Sequence, residues 1–316
     1  MPLVSVVIPH RNGIQYLDES LASVAAQDYT NFEIVLVDDG SDTPIPDRLL
    51  QGIPRLTLIA LPESRGVAGA LNAGIRACCG SYIARHDADD IMLPQRLRLQ
   101  VKRLEDSSLP RVDVLAGQLE TFPAKRWYAY PTSVRGFQAA LLFGNPIAHP
   151  TVMLRREVCI NNPYSERTED TGLEDLELWI RLARQGYAFG CLSEVLTRYR
   201  VHPAQSTQTT THRNDGRLLT LAASVSAPSK DLVTLALARD HFQPISILRC
   251  IVGGRFNSDT YAVLQIYQNW LNVSARHKGG LSPSRVLAKG LTELMLPLLR
   301  KQHSHPAISV STTTRS

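Results

Sequence analysis

Three short runs of apolar, mostly β-branched residues stand out in the first 61 residues of the chain. The runs are residues 3–8, 32–37 and 56–61. Because polar residues hardly interrupt them, they are typical of strands buried on both faces, as parallel sheets require. Between the first two runs, Leu17, Leu21 and Val24 recur at helical spacing. The order strand, helix, strand predicts βαβ units and an α/β fold on a mainly parallel, Rossmann-like sheet flanked by helices.

The pattern becomes less regular farther along the chain. Further strands are predicted at 82–84, 112–116, 145–153 and 195–199, and a helix at 172–182. Proline, aromatic and basic residues break the pattern over 117–135, which predicts a loop insertion. The expected organisation is a first domain at 1–206, a linker or mobile lid at 207–217, a helical region at 218–302 and a disordered tail at 303–316.

Acidic residues directly follow two of the predicted strands. Asp38 and Asp39 come after the second strand, and Asp87, Asp89 and Asp90 come after the fourth. The carboxyl ends of parallel strands meet at one edge of a sheet, where ligands bind. Crowded carboxylates repel each other unless a positive charge lies between them. A hard divalent cation, which prefers oxygen ligands, can supply that charge. One acidic turn is explained equally well by a surface turn or a helix N-cap, whereas two favour a metal and ligand site.

A third acidic group, Glu174, Asp175 and Glu177, opens the helix predicted at 172–182. Acids in a first helical turn suit the helix dipole, which is a purely structural reason worth under about 1 kcal/mol. Three acids exceed that need, so the pattern favours a functional role for Asp175. Glu177 lies two residues farther along the helix and would point about 200° away from Asp175.

Glycines, small residues and an arginine in the stretch 63–74 precede another predicted helix, which runs to about residue 78. Helix N-termini attract anions, so this stretch would face a phosphate. Tight packing of the helix on the sheet explains the same glycines equally well. The stretch matches neither the phosphate-binding loop of nucleoside triphosphatases nor the glycine-rich fingerprint of dinucleotide-binding proteins.

Composition narrows the functional classes. The chain has 316 residues, a net charge of +5 and 6% aromatic residues, without a basic run of the nucleic-acid-binding type. Its five cysteines show no C-x-x-C spacing, so neither a zinc site nor a disulfide framework is expected. No run approaches the roughly 18 apolar residues that span a bilayer. We therefore expect a cytoplasmic protein, either soluble or peripheral on the inner face of a membrane.

Taken together, these motifs resemble glycosyltransferase family 2, which has a GT-A-type fold. The matching segments are, in order, 4–9, 37–41, the helix that carries Asn72, 87–90, 174–179 and 199–202. The resemblance covers roughly residues 3–206, and the ordered set is far more specific than any one motif. It implies inverting transfer of a sugar from a nucleotide-activated donor, with a nucleotide-sugar half up to about residue 116 and an acceptor half from 117.

The resemblance also implies which residues bind the donor. Asp38 or Asp39 would accept a hydrogen bond from the uracil imide, so a UDP sugar is expected, and Pro9 would border the base. Arg65 stands where family members often carry Asn or Lys, and it would meet the diphosphate. Asp87 would lie beside the ribose and the metal. The expected nucleotide-sugar residues are Pro9, Asp38, Asp39, Arg65, Asp87 and Ala88.

The remaining roles concern the metal and the acceptor. By the same resemblance, Asp89 and His202 would hold Mn²⁺ or Mg²⁺, with Asp90 close by. Asp175 would be the catalytic base that takes the acceptor proton, and Glu174 and Trp179 would lie on the acceptor side. The acceptor would be a glycan or a lipid-linked glycan, with no nucleic-acid partner.

Three questions stay open at the level of sequence. A sugar-phosphate nucleotidyltransferase also uses acidic strand ends, although residues 9–13 lack its glycine-rich basic loop. A non-catalytic nucleotide-sugar-binding protein would have lost the metal or base carboxylate, and both are present. An amphipathic, basic segment at 286–301 either lies on an anionic membrane or packs on the protein itself.

Overall fold

The computed structural model describes residues 1–128, 130–132, 134–141, 145–167 and 171–203. The expected linker at 207–217, the helical region at 218–302 and the tail at 303–316 lie outside these residues. The amphipathic segment at 286–301 lies outside them as well.

Four strands form the parallel part of the sheet that the apolar runs predict. They are β1 (Val4–His10), β2 (Phe32–Asp38), β3 (Leu56–Ala60) and β4 (Tyr82–Arg85). Their spatial order is β3-β2-β1-β4, and each pair is parallel. The chain crosses back over β1 to place β4, so a switch point of the topology lies between β1 and β4. In open α/β sheets a ligand crevice forms at the carboxyl ends of the strands at this point.

The sheet continues beyond β4 with mixed strand directions. The additional strands are β5 (Ile91–Met92), β6 (Val114–Phe122), β7 (Trp127–Tyr128), β8 (Met153–Arg155) and β9 (Phe189–Arg200). The order from β4 is β4-β8-β6-β9-β5, with β7 paired to β6. β8 is antiparallel to both of its neighbours, whereas β6 and β9 are parallel. The α/β, mainly parallel architecture expected from the sequence is confirmed.

Helices cover both faces of the sheet and bury two apolar layers. They are α1 (Ile14–Ala25), α2 (Gly66–Ala77), α3 (Arg96–Glu105), α4 (Val134–Leu141), α5 (Arg156–Asn161) and α6 (Glu174–Arg184). Val6 packs in the layer under α1 and α3, whereas the next residue, Val7, packs in the layer under α2, α5 and α6. Burial on both faces explains the continuous apolar runs. None of the helices in the described ranges is long and apolar enough to cross a membrane.

Two positions of α2, Gly66 and Gly74, require glycine for different structural reasons. A Cβ on Gly74 would lie 2.7 Å from Val7 Cγ1 and 2.9 Å from Val37 Cγ2, so α2 approaches the sheet as closely as glycine allows. Gly66 has a φ of +73°, a conformation that other residues rarely adopt. Close packing therefore accounts for Gly74, and the conformation of the first helical residue accounts for Gly66.

The prediction of a loop insertion at 117–135 is wrong, because strands and the start of a helix occupy more than half of this range. β6 runs through Gly117 to Phe122, β7 follows, and α4 begins at Val134. Gly117 resembles a strand breaker in the sequence. In the structure it makes room for Leu196 of β9, because a Cβ there would lie 2.4 Å from Leu196 Cδ1.

The strand expected at 145–153 is also wrong. A 3₁₀ turn occupies His149–Thr151, and only Met153 enters β8. Two prolines, Pro146 and Pro150, lack the N–H that a ladder requires. The turn packs against β4, β6 and β9, which buries the apolar residues of this segment.

Arg96, the first residue of α3, has no solvent exposure and no carboxylate partner in the described structure. Its Nη2 donates to the carbonyl of Arg85 at 2.7 Å and Nη1 donates to the carbonyl of Pro150 at 2.7 Å. Longer bonds reach Val152, Thr197 and Gln100. These five bonds match the five donors of a guanidinium. Burial and the charge of Arg85 lower the pKa of Arg96 to about 9, so Arg96 is charged at neutral pH.

We predict that Arg96→Met lowers the free energy of unfolding by roughly 3 kcal/mol or more, because it leaves several buried carbonyls without donors. Urea denaturation followed by tryptophan fluorescence measures the change. Arg98→Met is the matched control on the same helix. The Arg98 side chain is 51% exposed and pairs with Asp28, so its loss should cost under about 1 kcal/mol. Equal losses in the two variants would contradict the role given to Arg96.

Candidate active site

The carboxylates of Asp87, Asp89 and Asp90 follow β4 at the topological switch point. Each offers an oxygen atom, and these oxygens all lie within 4.8 Å of one another. Asp90 is fully buried, and its Oδ2 has no hydrogen-bond partner among the described residues. Burial, followed by the charges of Asp87 and Asp89, raises the pKa of Asp90 well above its usual range. We call these three residues the acidic knot.

The end of β9 closes over the acidic knot. The backbone N–H of Arg200 donates to Asp90 Oδ1 at 2.8 Å, and its Nε donates to the carbonyl of Asp89 at 2.7 Å. His202 Nε2 lies 2.8 Å from Asp89 Oδ2, so the structure brings these two sequence-predicted residues together. The guanidinium of Arg200 lies over the ring of Phe122, 4.4 Å from its centroid. Residues far apart in the sequence thus hold the knot in place.

Arg85 pairs with Asp87 through both carboxylate oxygens. The side chain of Arg85 is 8% exposed, and its buried Nε has no partner in the described structure. Burial raises the pKa of Glu174 and of Asp175, and the positive charge of Arg85 offsets part of that rise. Arg85 therefore contributes to the electrostatics of both the knot and the start of α6. Arg85 is not among the predicted site residues, although a basic residue between a buried strand and an acidic cluster can indicate a charge partner.

Asp38 and Asp39, which the sequence predicts to bind the nucleotide, lie at the end of β2, and both are buried. Asp39 Oδ1 accepts the backbone N–H of Arg65 at 2.7 Å, and its Oδ2 accepts the N–H of Gly66 at 3.0 Å. Asp39 thus caps α2 from another element, which is favourable at a helix N-terminus. Asp38 Oδ1 accepts both the N–H and the hydroxyl of Ser41. Each carboxylate retains lone pairs, so either can accept a further hydrogen bond.

Three other predicted nucleotide-sugar residues lie around this edge. Pro9 lies in β1 beside Val37 and is half-buried. Arg65 Nη2 donates to Glu166 Oε2 at 2.6 Å, in an ion pair that is substantially exposed. Ala88 packs against the apolar layer under α1 and α3. This packing directs the methyl group of Ala88 into the protein, and only its backbone is suited to a ligand.

Asp175 lies in the first turn of α6, next to three polar neighbours. Asn145 Nδ2 donates to Asp175 Oδ2, and the backbone N–H of Leu176 donates to Oδ1 at 2.7 Å. His149 Nδ1 lies 3.9 Å from Oδ2. Burial raises the pKa of Asp175 from its usual value, against the effect of these hydrogen bonds. Asn145 and His149 were missed because the sequence pattern assigned them to a strand.

The neighbouring residues on α6 differ in their surroundings. Glu174 Oε2 accepts the N–H of Gly172 at 2.6 Å, and burial together with the charge of Asp175 raises the pKa of Glu174 to about 7. Glu177 instead pairs with Arg181 on the same helix. Trp179 has no exposed surface and packs edge-on against the His149 ring. The predicted direct contact between Trp179 and an acceptor does not fit this burial, and Trp179 instead packs beneath His149.

Comparison with known proteins gives one family. The sequence profile of "Glycosyl transferase family 2" matches residues 5–160. A Haemophilus influenzae "Uncharacterized glycosyltransferase" is 30% identical over 233 residues, which cover 68% of this chain and 70% of that protein. The Escherichia coli "O-antigen biosynthesis glycosyltransferase WbnJ" is 29% identical over 212 residues, which cover 64% of this chain and 81% of that protein.

Solved structures share the fold. "S. aureus TarS 1-349 in complex with UDP-GlcNAc" aligns with a TM-score of 0.58 at 15% identity, over 98% of this chain and 94% of TarS 1-349. "Mannosyltransferase PcManGT from Pyrobaculum calidifontis in complex with GDP-Man and Mn2+" aligns with a TM-score of 0.53 at 20% identity, over 96% and 83% of the two chains. At these identities the likeness concerns the fold alone.

The raised pKa of Glu174 predicts a pH dependence of stability. Because the folded state holds this proton more tightly than the unfolded state does, stability falls as pH rises from 4.5 to about 7. Glu174→Gln should remove on the order of 1 kcal/mol or more of this pH-dependent change. Urea unfolding at several pH values measures it. Glu177→Gln is the control and should leave the slope unchanged; an unchanged slope in Glu174→Gln would refute the assignment.

Proposed function

The chain belongs to glycosyl transferase family 2 and is a glycosyltransferase; we propose that it moves a sugar, with inversion, from a nucleoside-diphosphate donor to a hydroxyl of a glycan or lipid-linked acceptor. The observation that carries this proposal is the presence of two acidic centres with different surroundings. The acidic knot gathers three carboxylates at the switch point, and Asp175 lies among hydrogen-bond donors at the start of α6. Transfer with inversion needs one site for the diphosphate and one base.

The knot has the donor set of a hard divalent cation, since its three carboxylates offer oxygens within 4.8 Å and one buried oxygen of Asp90 lacks a partner in the described residues. Asp89 and His202 would hold Mn²⁺ or Mg²⁺, with Asp90 next to them. Asp87, whose two oxygens pair with Arg85, would lie beside the ribose and the metal. A bound cation would offset the negative charge that develops on the departing nucleoside diphosphate.

The nucleotide would lie along the ends of β1 and β2. Asp38 or Asp39 would accept from the imide of a uracil base, and Pro9 would border the base. Arg65 could meet the diphosphate once it leaves Glu166, because their exposed ion pair is weak. The two similar structures hold different donors, UDP-GlcNAc and GDP-Man, so the preference for uridine rests on the two aspartates. A panel of UDP, GDP and dTDP sugars, assayed for released nucleoside diphosphate, tests this preference.

Asp175 would take the proton of the acceptor hydroxyl as that oxygen attacks the anomeric carbon from the face opposite the diphosphate. A single base suffices for inversion, and burial raises the pKa of Asp175, which strengthens it as a base. Glu174 would contact or orient the acceptor. The name of the Escherichia coli relative, an O-antigen biosynthesis enzyme, supports a glycan acceptor for this chain. The two relatives described above carry glycosyltransferase names, which favours this function over the nucleotidyltransferase alternative.

We predict that Asp175→Asn cuts turnover by roughly a hundredfold or more while donor binding persists, because only the general base is lost. Asp89→Asn should instead abolish most Mn²⁺-dependent binding of UDP, because an amide is a poor ligand for a hard cation. Isothermal titration with UDP and Mn²⁺, together with turnover of the donor found by the panel, separates the two effects.

Glu177→Gln is the matched control on α6, since Glu177 pairs with Arg181 and not with the base. It should retain turnover within about twofold, on the general scale of surface substitutions. Near-normal turnover in Asp175→Asn, or loss of UDP binding in that variant, would overturn the assignment of the base.

A further inference from the structure

We infer that His149 is a positioning residue whose neutral ring turns its Nδ1–H dipole towards the carboxylate of Asp175, and that Tyr164 sets the tautomer this requires. This inference rests on the proposed role of Asp175 as the base. His149 Nε2 lies 2.8 Å from the hydroxyl of Tyr164, and His149 Nδ1 lies 3.9 Å from Asp175 Oδ2. The imidazole therefore stands between a phenol and the carboxylate.

The tautomer follows from the chemistry of the two neighbours. Burial raises the pKa of Tyr164 well above its usual range, so its hydroxyl keeps a proton to donate. When the hydroxyl donates to Nε2, that nitrogen is the acceptor and the ring proton lies on Nδ1. The Nδ1–H then faces the carboxylate of Asp175. In the opposite tautomer, with the proton on Nε2, the lone pair of Nδ1 would face the negative carboxylate of Asp175. This repulsion disfavours that tautomer.

The neutrality of His149 matters as much as its orientation. Burial lowers the pKa of His149 well below its usual range, and the charge of Arg85 lowers it further. An imidazolium next to Asp175 would stabilise the carboxylate and make it a weaker base. The amide of Asn145 donates to the carboxylate, and the neutral ring of His149 presents its N–H dipole to it from 3.9 Å, so both stabilise the anion less than a positive charge would.

The structure holds Tyr164 from the far side. Asn72 of α2 donates from Nδ2 to the carbonyl of Tyr164 at 2.9 Å, and Asn72 Oδ1 accepts the N–H of Tyr164 at 2.9 Å. The His149 ring also packs edge-on against Trp179. Hydrogen bonds from α2 to the backbone therefore hold the chain at Tyr164, and ring packing against Trp179 of α6, the helix that carries Asp175, holds the imidazole.

Several charged or titratable groups act on this arrangement from the surrounding elements. Arg85 at the end of β4 acts on Asp175 and His149, and Glu174 lies beside Asp175 on α6. The others that couple to Asp175 or to Tyr164 are Tyr130 and Cys159. None of these groups changes in Tyr164→Phe, so a change in that variant reports the tautomer of His149.

The direct test uses the full-length protein labelled with ¹⁵N-histidine, without any ligand. Long-range proton–nitrogen NMR spectra distinguish the two neutral tautomers, and loss of one signal set in His149→Gln assigns His149. We expect the Nδ1–H tautomer in the wild type and a shift towards Nε2–H in Tyr164→Phe. A charged His149 at neutral pH, an Nε2–H tautomer in the wild type, or an unchanged tautomer in Tyr164→Phe would overturn the inference.

Kinetics supply the second arm, with the donor found by the panel and water as the acceptor. Tyr164→Phe should lower kcat about tenfold with little change in the KM for the donor, as expected for a misplaced base. The acidic limb of its pH profile should move to higher pH, because a lone pair facing Asp175 raises the pKa of that carboxyl. His149→Gln, which keeps a neutral donor, should retain more turnover than His149→Leu.

The control is Tyr82→Phe, which removes another buried phenol hydroxyl at the opposite end of β4. It should lower stability without moving the pH profile. If Tyr164→Phe behaves like Tyr82→Phe, the positioning role is refuted. Asp175→Asn is measured in parallel. Normal turnover in Asp175→Asn would refute the proposed base, whereas a loss in Asp175→Asn without one in Tyr164→Phe refutes only the inference about His149 and Tyr164.

Discussion

The guanidinium of Arg96 connects the elements on which both acidic centres depend. Its two shortest hydrogen bonds reach the carbonyl of Arg85, which precedes the acidic knot, and that of Pro150, which follows His149. A third bond reaches Thr197 on β9, the strand whose end carries the residues that close over the knot. A buried charge is costly without full compensation, so these acceptors must stay where they are. The position of the knot relative to the α6 site is therefore coupled to the folding of the core.

A second arginine gives the two centres a common electrostatic environment. Arg85 neutralises part of the negative charge of the knot by pairing with Asp87, and its charge also reaches Asp175. Its influence on Asp175 is opposed by burial, which raises the pKa of that carboxyl. The result suits the two proposed tasks. The knot can attract a cation, which in turn would attract a diphosphate, while Asp175 remains a base with neutral polar neighbours.

The local pattern of the sequence predicted the parallel half of the sheet and the acidic strand ends well. Their signals are local, since apolar runs of five to seven residues form β1 to β3 and the knot directly follows β4. The pattern failed where tertiary contacts override it. The regular pattern ends at Gly117 in the sequence, yet Gly117 lies inside β6. A glycine is needed there because Leu196 occupies the space that a Cβ would fill. Asn145 and His149 meet Asp175 only through a turn that no sequence periodicity reveals.

The most direct test of the account is to locate the metal. Crystals of the full chain grown with Mn²⁺ and UDP, measured at the manganese absorption edge, would show the ion as an anomalous peak. The account predicts one strong peak within bonding distance of the Asp89 carboxylate and His202 Nε2, and no peak at Asp175. A peak beside Glu174 and Asp175, or none at the acidic knot under conditions where UDP is bound, would contradict the division of labour between the two centres.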